Sequence, residues 1–235
     1  MPLQAVDNRR LYRQIADQIA ALIEKGEYST GARLPPERDL AKQLGVSRPS
    51  VREALIALEV EGWVEVRTGS GVYVRERQGR PAAPTESVEW GPLELIRARR
   101  VVEGETAALA ATLAKRKDVQ AISGAIESMR AQAERAQTPL EGDRAFHVAI
   151  VEACGNIVLS ETVQAFWDSR REPIFSRLGG YFETAESWRA AIAEHEAIRD
   201  AIAARDADAA RGAMHRHLDR SHRRFSASWR RARAA

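Results

Sequence analysis

The tightest constraint in this chain is a three-residue turn. Gly45-Val46-Ser47 separates two short apolar patterns, and so short a turn sets the second of two helices at a steep angle to the first. The helix before the turn is expected over about residues 36–44. Pro35-Pro36 opens it, because a proline lacks an N–H that the first helical turn would leave unbonded anyway, and Leu40 and Leu44 form its apolar side. The helix after the turn is expected over about residues 48–61, capped by Ser47 and burying Val51, Leu55 and Leu58. An earlier helix, about 9–25, repeats Leu11, Ile15, Ile19, Leu22 and Ile23 at helical spacing and ends at Gly26. Beyond Gly62, Val64 and Val66 and then Val72 and Val74 alternate on either side of Thr68-Gly69-Ser70-Gly71, the pattern of a short hairpin. Three short helices followed by a hairpin is the layout of a winged helix-turn-helix.

That layout places chemistry. The first turn of the third helix presents Arg48, Pro49, Ser50 and Arg52 to a DNA major groove, and arginine is shaped to take two acceptors on a guanine edge. Ser47 and Ser50 reach phosphates or bases, and the helix N-terminus favours phosphate. Arg38, early in the second helix, is placed on the DNA backbone. Gly69, at the hairpin tip, allows main chain to approach the minor groove. Net charge does not locate this surface. It is +3 over the whole chain with a pI near 9.3, and residues 1–78 hold 12 Lys and Arg against 11 Asp and Glu.

Residues 78–92 contain Gly79, Pro81, Pro84, Gly91 and Pro92 with little apolar periodicity, and read as a linker between a DNA-binding domain over 1–77 and a second domain over 93–235. From about residue 93 the pattern is helical, with helices expected over 93–115, 118–136, 140–154, 157–178, 185–204 and 206–229, and breakers at Thr138-Pro139, Gly155-Asn156 and Gly179-Gly180. The expected fold class is therefore mainly α: a winged helix-turn-helix and an all-helical bundle. Eight arginines and one aspartate fall in residues 211–235, which reads as a solvated helix face running into a tail. No apolar run approaches the roughly 18 residues of a membrane helix. The N-terminus has no signal pattern. The lone Cys154 excludes an intramolecular disulfide, so a reducing cytoplasm is the expected compartment.

All five histidines lie in the second half. Asp143 and His147 are one turn apart on one helix face, His195 is central to the next-to-last helix, and His217 lies on the last. An Asp and a His from one helix with single His residues from two others can surround a divalent cation inside a bundle. Zinc comes first, and nickel, manganese and iron suit the same donors. Two other readings use these residues: a metal-dependent hydrolase with Glu194 or Glu196 as base, and an architectural DNA-binding protein with a structural metal.

Three runs carry a close resemblance: Arg33-Leu34-Pro35-Pro36-Glu37-Arg38-Asp39-Leu40-Ala41, Leu44-Gly45-Val46-Ser47-Arg48 and Val51-Arg52-Glu53-Ala54-Leu55. With Gly62-Trp63 and Gly69-Ser70-Gly71-Val72-Tyr73-Val74, they resemble the signature of the GntR family of transcriptional regulators. The resemblance implies DNA contacts at Arg38, Ser47, Arg48, Ser50, Arg52 and Gly69. Pro49 stands where relatives often carry a small polar residue. The second half resembles the FCD effector-binding domain through Leu95 to Glu103, Asp143-x-x-Phe146-His147, Gly155-Asn156, His195-x-x-Ile198 and Met214-x-x-His217-Leu218. That implies a metal on Asp143, His147, His195 and His217, His215 pointing elsewhere, and an effector against Arg99 and Asn156. Phe166-Trp167, Arg170-Arg171, Trp188 and Gly91-Pro92-Leu93 are similar to regulators of hexuronate operons. The implied protein is not an enzyme but a ligand-responsive repressor, homodimeric on an inverted-repeat DNA operator, sensing a small carboxylate or sugar acid with Trp167 or Trp188 over the sugar.

Overall fold

The computed structural model describes residues 10–76 and 90–227. The expected linker residues 78–89 and the end of the arginine-rich tail, 228–235, lie outside the described residues. The chain divides into two compact units, the second opening at Leu93.

In the N-terminal unit, α1 (Leu11–Glu24), α2 (Glu37–Leu44) and α3 (Arg48–Val60) precede β1 (Val64–Arg67) and β2 (Gly71–Val74). Gly45 ends α2 at φ 66°, a left-handed conformation that glycine takes without steric cost, and Ser47 then caps α3 through its Oγ and the Ser50 N–H. Tyr12, Ile15 and Ile19 of α1 are buried, as are Val51, Leu55 and Leu58 of α3; Leu11 and Leu22, expected on the same face of α1, are exposed, so the packed face is centred on Ile15 and Ile19. The strands are antiparallel, with Val64 opposite Val74 and Val66 opposite Val72. A further contact was not expected: Arg33 bridges to Tyr73, and the Leu34 N–H donates to the Val72 carbonyl at 2.8 Å. The hairpin is thereby tied to the segment that leads into α2. At the far end of the expected linker, Gly91 is buried, and a Cβ there would meet the Tyr12 ring at 3.3 Å.

From Pro92 the described chain is all-helical: α4 (Pro92–Leu113), α5 (Arg116–Glu134), α6 (Leu140–Glu152), α7 (Ile157–Ser169), α8 (Pro173–Phe182), α9 (Ala185–Ala203) and α10 (Ala207–Phe225). Pro173–Leu178 of α8 group with the first unit, and the rest from Leu93 to Ala227 forms the second. One expectation is corrected. The helix expected over 157–178 is two helices, and the break falls at Arg170-Arg171-Glu172 rather than at Gly179-Gly180, which lie inside α8. Pro173 occupies the first turn of α8, where its fixed φ suits a helix start but not a helix interior. Glycine within a helix costs only about 1 kcal/mol relative to alanine, so the proline decides. The bundle core joins Ala107 and Ala111 of α4, Ile126 of α5, Phe146 of α6, Ile198 of α9 and Met214 of α10. Helices α5 and α6 approach closely at Gly142, where a Cβ would lie 2.8 Å from the Met129 backbone nitrogen. That contact presses the first turn of α6, including Asp143, into the interior.

Candidate metal centre and DNA-reading surface

Two arginines of α3, Arg48 and Arg52, converge on the carboxylate of Glu37 at the start of α2. Arg38 is largely exposed beside Asp39. Arg48 is 52% exposed and donates from Nε to Glu37 Oε1 at 3.1 Å. Using Nε in this way leaves the two terminal nitrogens of Arg48 as the outward edge, the edge that matches two acceptors. The Ser47 and Ser50 hydroxyls lie 2.8 Å apart. Gly69 sits exposed at the hairpin tip at φ 79°. Arg52 departs from its expected place. It is 2% exposed, and its Nε and Nη2 donate to the Glu37 carboxylate at 2.8–3.0 Å. Its Cα stands one turn along α3 from Arg48, but the side chain turns inward, so it is absent from the exposed surface.

In the second unit, the four residues that spacing allowed and the family resemblance implied come together. Asp143, His147, His195 and His217 are all buried, and one donor atom from each lies within 4.8 Å of the others. The separations are 3.3 Å from His195 Nε2 and 3.5 Å from His147 Nε2 to Asp143 Oδ1. Helix periodicity explains the convergence: His195 shares the buried face of α9 with Trp188, Ile192 and Ile198, and His217 shares that of α10 with Met214 and Leu218. His215 points away, its ring lying where a Cβ on Gly104 of α4 would fall.

Carboxylates stand behind two of the imidazoles. Glu194 Oε2 lies 2.8 Å from His217 Nδ1 and is itself held by Arg220 at 2.9 Å. Glu103 abuts His147 Nδ1 and is clasped by Arg99 at 2.5 Å. A carboxylate on one ring nitrogen fixes the tautomer and leaves the other nitrogen as a lone-pair donor, the usual outer arrangement of a metal-binding histidine. Burial pushes the Glu103 carboxyl up, but the charges of Arg99 and His147 outweigh it and hold the group at about 2. Burial likewise opposes ionisation of Asp143, yet its contacts with His147 and His195 keep it well below the usual carboxylate range. Burial lowers His195 and, with the neighbouring imidazoles, holds His217 well below its ordinary value. Burial pulls His147 down as well, but the charge of Glu103 and the contact with Asp143 outweigh it and raise the group above its ordinary value. An ionised carboxylate and unprotonated imidazoles are the forms that bind metal, so Asp143, His195 and His217 are poised for it and His147 would give up its proton as the ion enters.

Among the described residues, Asp143 Oδ1 and the Nε2 atoms of His147 and His195 are buried without a hydrogen-bond partner. An unsatisfied buried polar atom costs about 1–3 kcal/mol, and the two nitrogens face that one oxygen. A cation bound at about 2.0–2.1 Å from such donors would answer them together, so the residues present fit a metal ion.

The other expected site residues divide. Arg99 is not a surface charge: it is 2% exposed and lies 4.5 Å over the Trp167 ring. Asn156 is exposed, and its Oδ1 accepts from the Val158 and Leu159 N–H groups as the cap of α7; it does not join the buried cluster. Trp167 is close, its ring 5.1 Å from His147. The glutamates considered as a hydrolytic base are both engaged, Glu194 as above and Glu196 with Arg130. Spacing alone missed Arg170. It stacks 4.9 Å over Trp167 and reaches Asp143 Oδ2 at 3.3 Å and Glu183 Oε1 at 3.2 Å. Its signal was its place in the run from Phe166 to Arg171.

A winged helix-turn-helix joined in one chain to a helical unit with an enclosed donor cluster defines a one-component DNA-binding regulator. Comparison with known proteins supplies the family. The model of the bacterial regulatory proteins of the gntR family matches residues 11–74, and the FCD domain model matches residues 94–220. The chain belongs to the GntR family, in the group that carries an FCD domain. It is 34% identical to the Exu regulon transcriptional regulator of Escherichia coli K12, over 92% of this chain and 85% of that protein. It is 37% identical to the Uxu operon transcriptional regulator of the same organism, over 92% and 86%. A solved structure titled Streptococcus agalactiae GntR aligns over 90% of this chain and 99% of its own, at 25% identity and a TM-score of 0.50. These relatives are regulators, not enzymes, which answers the hydrolase reading. Among the described residues no helix is long and apolar enough to cross a membrane.

Proposed function

We propose that this regulator is a ligand-responsive repressor. It binds an inverted-repeat operator as a homodimer, and responds to a small carboxylate or sugar acid through a divalent metal ion held by Asp143, His147, His195 and His217. The observation that carries this reading is the convergence of four buried donor residues, three of which (Asp143, His147 and His195) turn buried polar atoms without a hydrogen-bond partner into the cluster. Charge supports it. Asp143, Glu103, Glu183 and Glu194 bring four carboxylates to the cluster, against the guanidiniums of Arg99, Arg170 and Arg220. With neutral imidazoles one negative charge is left over, in an interior where unpaired charge is strongly disfavoured, and a divalent cation offsets it. Three nitrogens and one oxygen suit zinc first and nickel, manganese or iron next.

Such an ion, when bound, supplies a Lewis-acidic centre that takes a carboxylate or hydroxyl oxygen of the effector. The protein's residues do the rest. Glu103 and Glu194 orient His147 and His217, and Trp167 offers an aromatic face beside them. The likeness to the Exu and Uxu regulators supports a uronate or aldonate as the acid. At the other end, Arg48 reads base edges, Arg38, Ser47, Ser50 and Gly69 hold the DNA backbone, and Arg52 acts through Glu37. Val101, Leu109 and Leu113 of α4, with Ile157 and Val158 at the start of α7, are large apolar side chains left exposed, which burial against a second copy would cover. The effector's influence on DNA affinity equals its differential binding to the two states of the dimer.

Elemental analysis of the purified full-length protein, with thermal-shift measurements on sugar acids before and after chelation, tests this reading. Bound divalent metal and stabilisation by an acid that disappears on chelation are expected. Metal-free protein indifferent to every acid would sink it.

A further inference from the structure

We propose that Arg170 is the receptor for the effector's carboxylate, and that the acid takes over the place on this guanidinium that Glu183 holds in its absence. This rests on the metal-assisted sensing reading above and names the residue that grips the ligand.

Two arginines lie beside the cluster, and they differ. Arg99 is closed: it is 2% exposed, and Nε and Nη2 both go to the single carboxylate of Glu103, at 2.5 and 3.3 Å. A ligand could take it only by breaking that pair and stripping His147 of its carboxylate. Arg170 is held more loosely. Its side chain is 13% exposed, and each terminal nitrogen meets a different carboxylate, at 3.3 Å to Asp143 and 3.2 Å to Glu183. Charged N–H to carboxylate bonds run to about 2.7–2.9 Å when well formed, and arginine binds a carboxylate best through two parallel bonds. Neither contact of Arg170 reaches that geometry, so an incoming carboxylate can improve on them.

Position favours the same residue. Asp143 turns Oδ1 to the imidazoles and Oδ2 to Arg170, so this guanidinium adjoins the carboxylate that would help hold the metal and can take an acid drawn to it. Trp167 lies under Arg170, and its buried Nε1 has no hydrogen-bond partner among the described residues, a donor waiting for a ligand oxygen. Glu183 is the first of the two residues between α8 and α9, with extended backbone. Its carboxylate lies beside Gly179, where a Cβ would come within 3.1 Å. Displacing it therefore alters the α8–α9 connection, a local change that depends on the ligand.

The test measures the affinity of the metal-loaded full-length protein for D-galacturonate and D-glucuronate by calorimetric titration, with metal content measured alongside. Arg170→Lys is expected to keep the metal and weaken the acid at least tenfold. Glu183→Gln is expected to tighten it severalfold, because the internal competitor has lost its charge. A purely structural Glu183 would give unchanged or weaker binding. Wild-type affinity in Arg170→Lys, or no tightening in Glu183→Gln, overturns the proposal. Should Arg170→Lys also release metal through Asp143, Glu183→Gln decides alone, since Glu183 contacts Arg170 and not the four donors. A wild-type protein that binds neither acid would refute the sensing reading itself; one that binds but is indifferent to both substitutions would refute only the role of Arg170.

Discussion

The two units handle buried charge in opposite ways. In the reading head, Glu37 has both oxygens occupied by Arg52 and a further contact from Arg48, so the group is complete within the protein. In the helical unit, Asp143, His147 and His195 hold polar atoms that face one another and find no hydrogen bond. A satisfied network makes a rigid platform; an unsatisfied one is a site whose remaining partner comes from outside. On this view the head is built to present a surface and the bundle to receive a ligand, and the contrast can be broken at either end.

The largest effect is expected at the bundle. Removing the metal leaves the cluster's negative charge uncompensated. Metal present at a thousandfold excess over its dissociation constant stabilises by about 4 kcal/mol, which for a chain of this size corresponds to a fall of about 10 °C in thermal midpoint on chelation. His195→Ala should reproduce the loss and abolish the acid response, as followed by elemental analysis and thermal melts. A chelated protein that melts unchanged would place the bundle in the same class as the head.

Next comes Glu37. Substitution by Gln leaves Arg52 buried without its opposite charge, and breaking a buried pair in this way costs about 3 kcal/mol. The N-terminal unit should lose stability while metal content stays at the wild-type level. If Glu37→Gln instead folds with wild-type stability, the carboxylate is not the keystone of the head and the contrast weakens.

Arg48→Ala should act on recognition rather than folding. A bidentate contact to a base is worth about 1–3 kcal/mol of discrimination, so specific operator affinity should fall roughly tenfold to a hundredfold in a binding titration, with thermal midpoint and metal content intact. Equal loss on specific and unrelated DNA would make Arg48 a phosphate contact and move base reading elsewhere.

What could be read from the sequence follows how local each signal is. Ser47 capping α3, the hairpin valines and the one-turn spacing of Asp143 and His147 are short-range patterns, and each is found where the spacing puts it. The inward turn of Arg52 depends on Glu37, fifteen positions away on another helix, and no periodicity in α3 announces it. Arg99 was named only through the family resemblance, because its enclosure by Glu103 and Trp167 arises only when α4 packs beside α7. The joining of His195 and His217 to Asp143 is tertiary as well: spacing allowed it, and the family resemblance singled it out.

Asn156 is the case where a local signal was legible and was assigned to another role. Gly155-Asn156 ahead of Ile157-Val158 is the mark of a helix start, and the Asn156 side chain accepts from two N–H groups of the first turn of α7. A cap of this kind contributes about 1 kcal/mol, whereas a residue holding the effector would govern affinity. Asn156→Ala is therefore expected to lower the thermal midpoint by a few degrees and leave the apparent affinity for a sugar acid unchanged. Asn156→Asp, which keeps the acceptor, should restore the midpoint. A severalfold loss of acid affinity with no change in stability would return Asn156 to the pocket and show that the start of α7 belongs to the receiving half of the comparison.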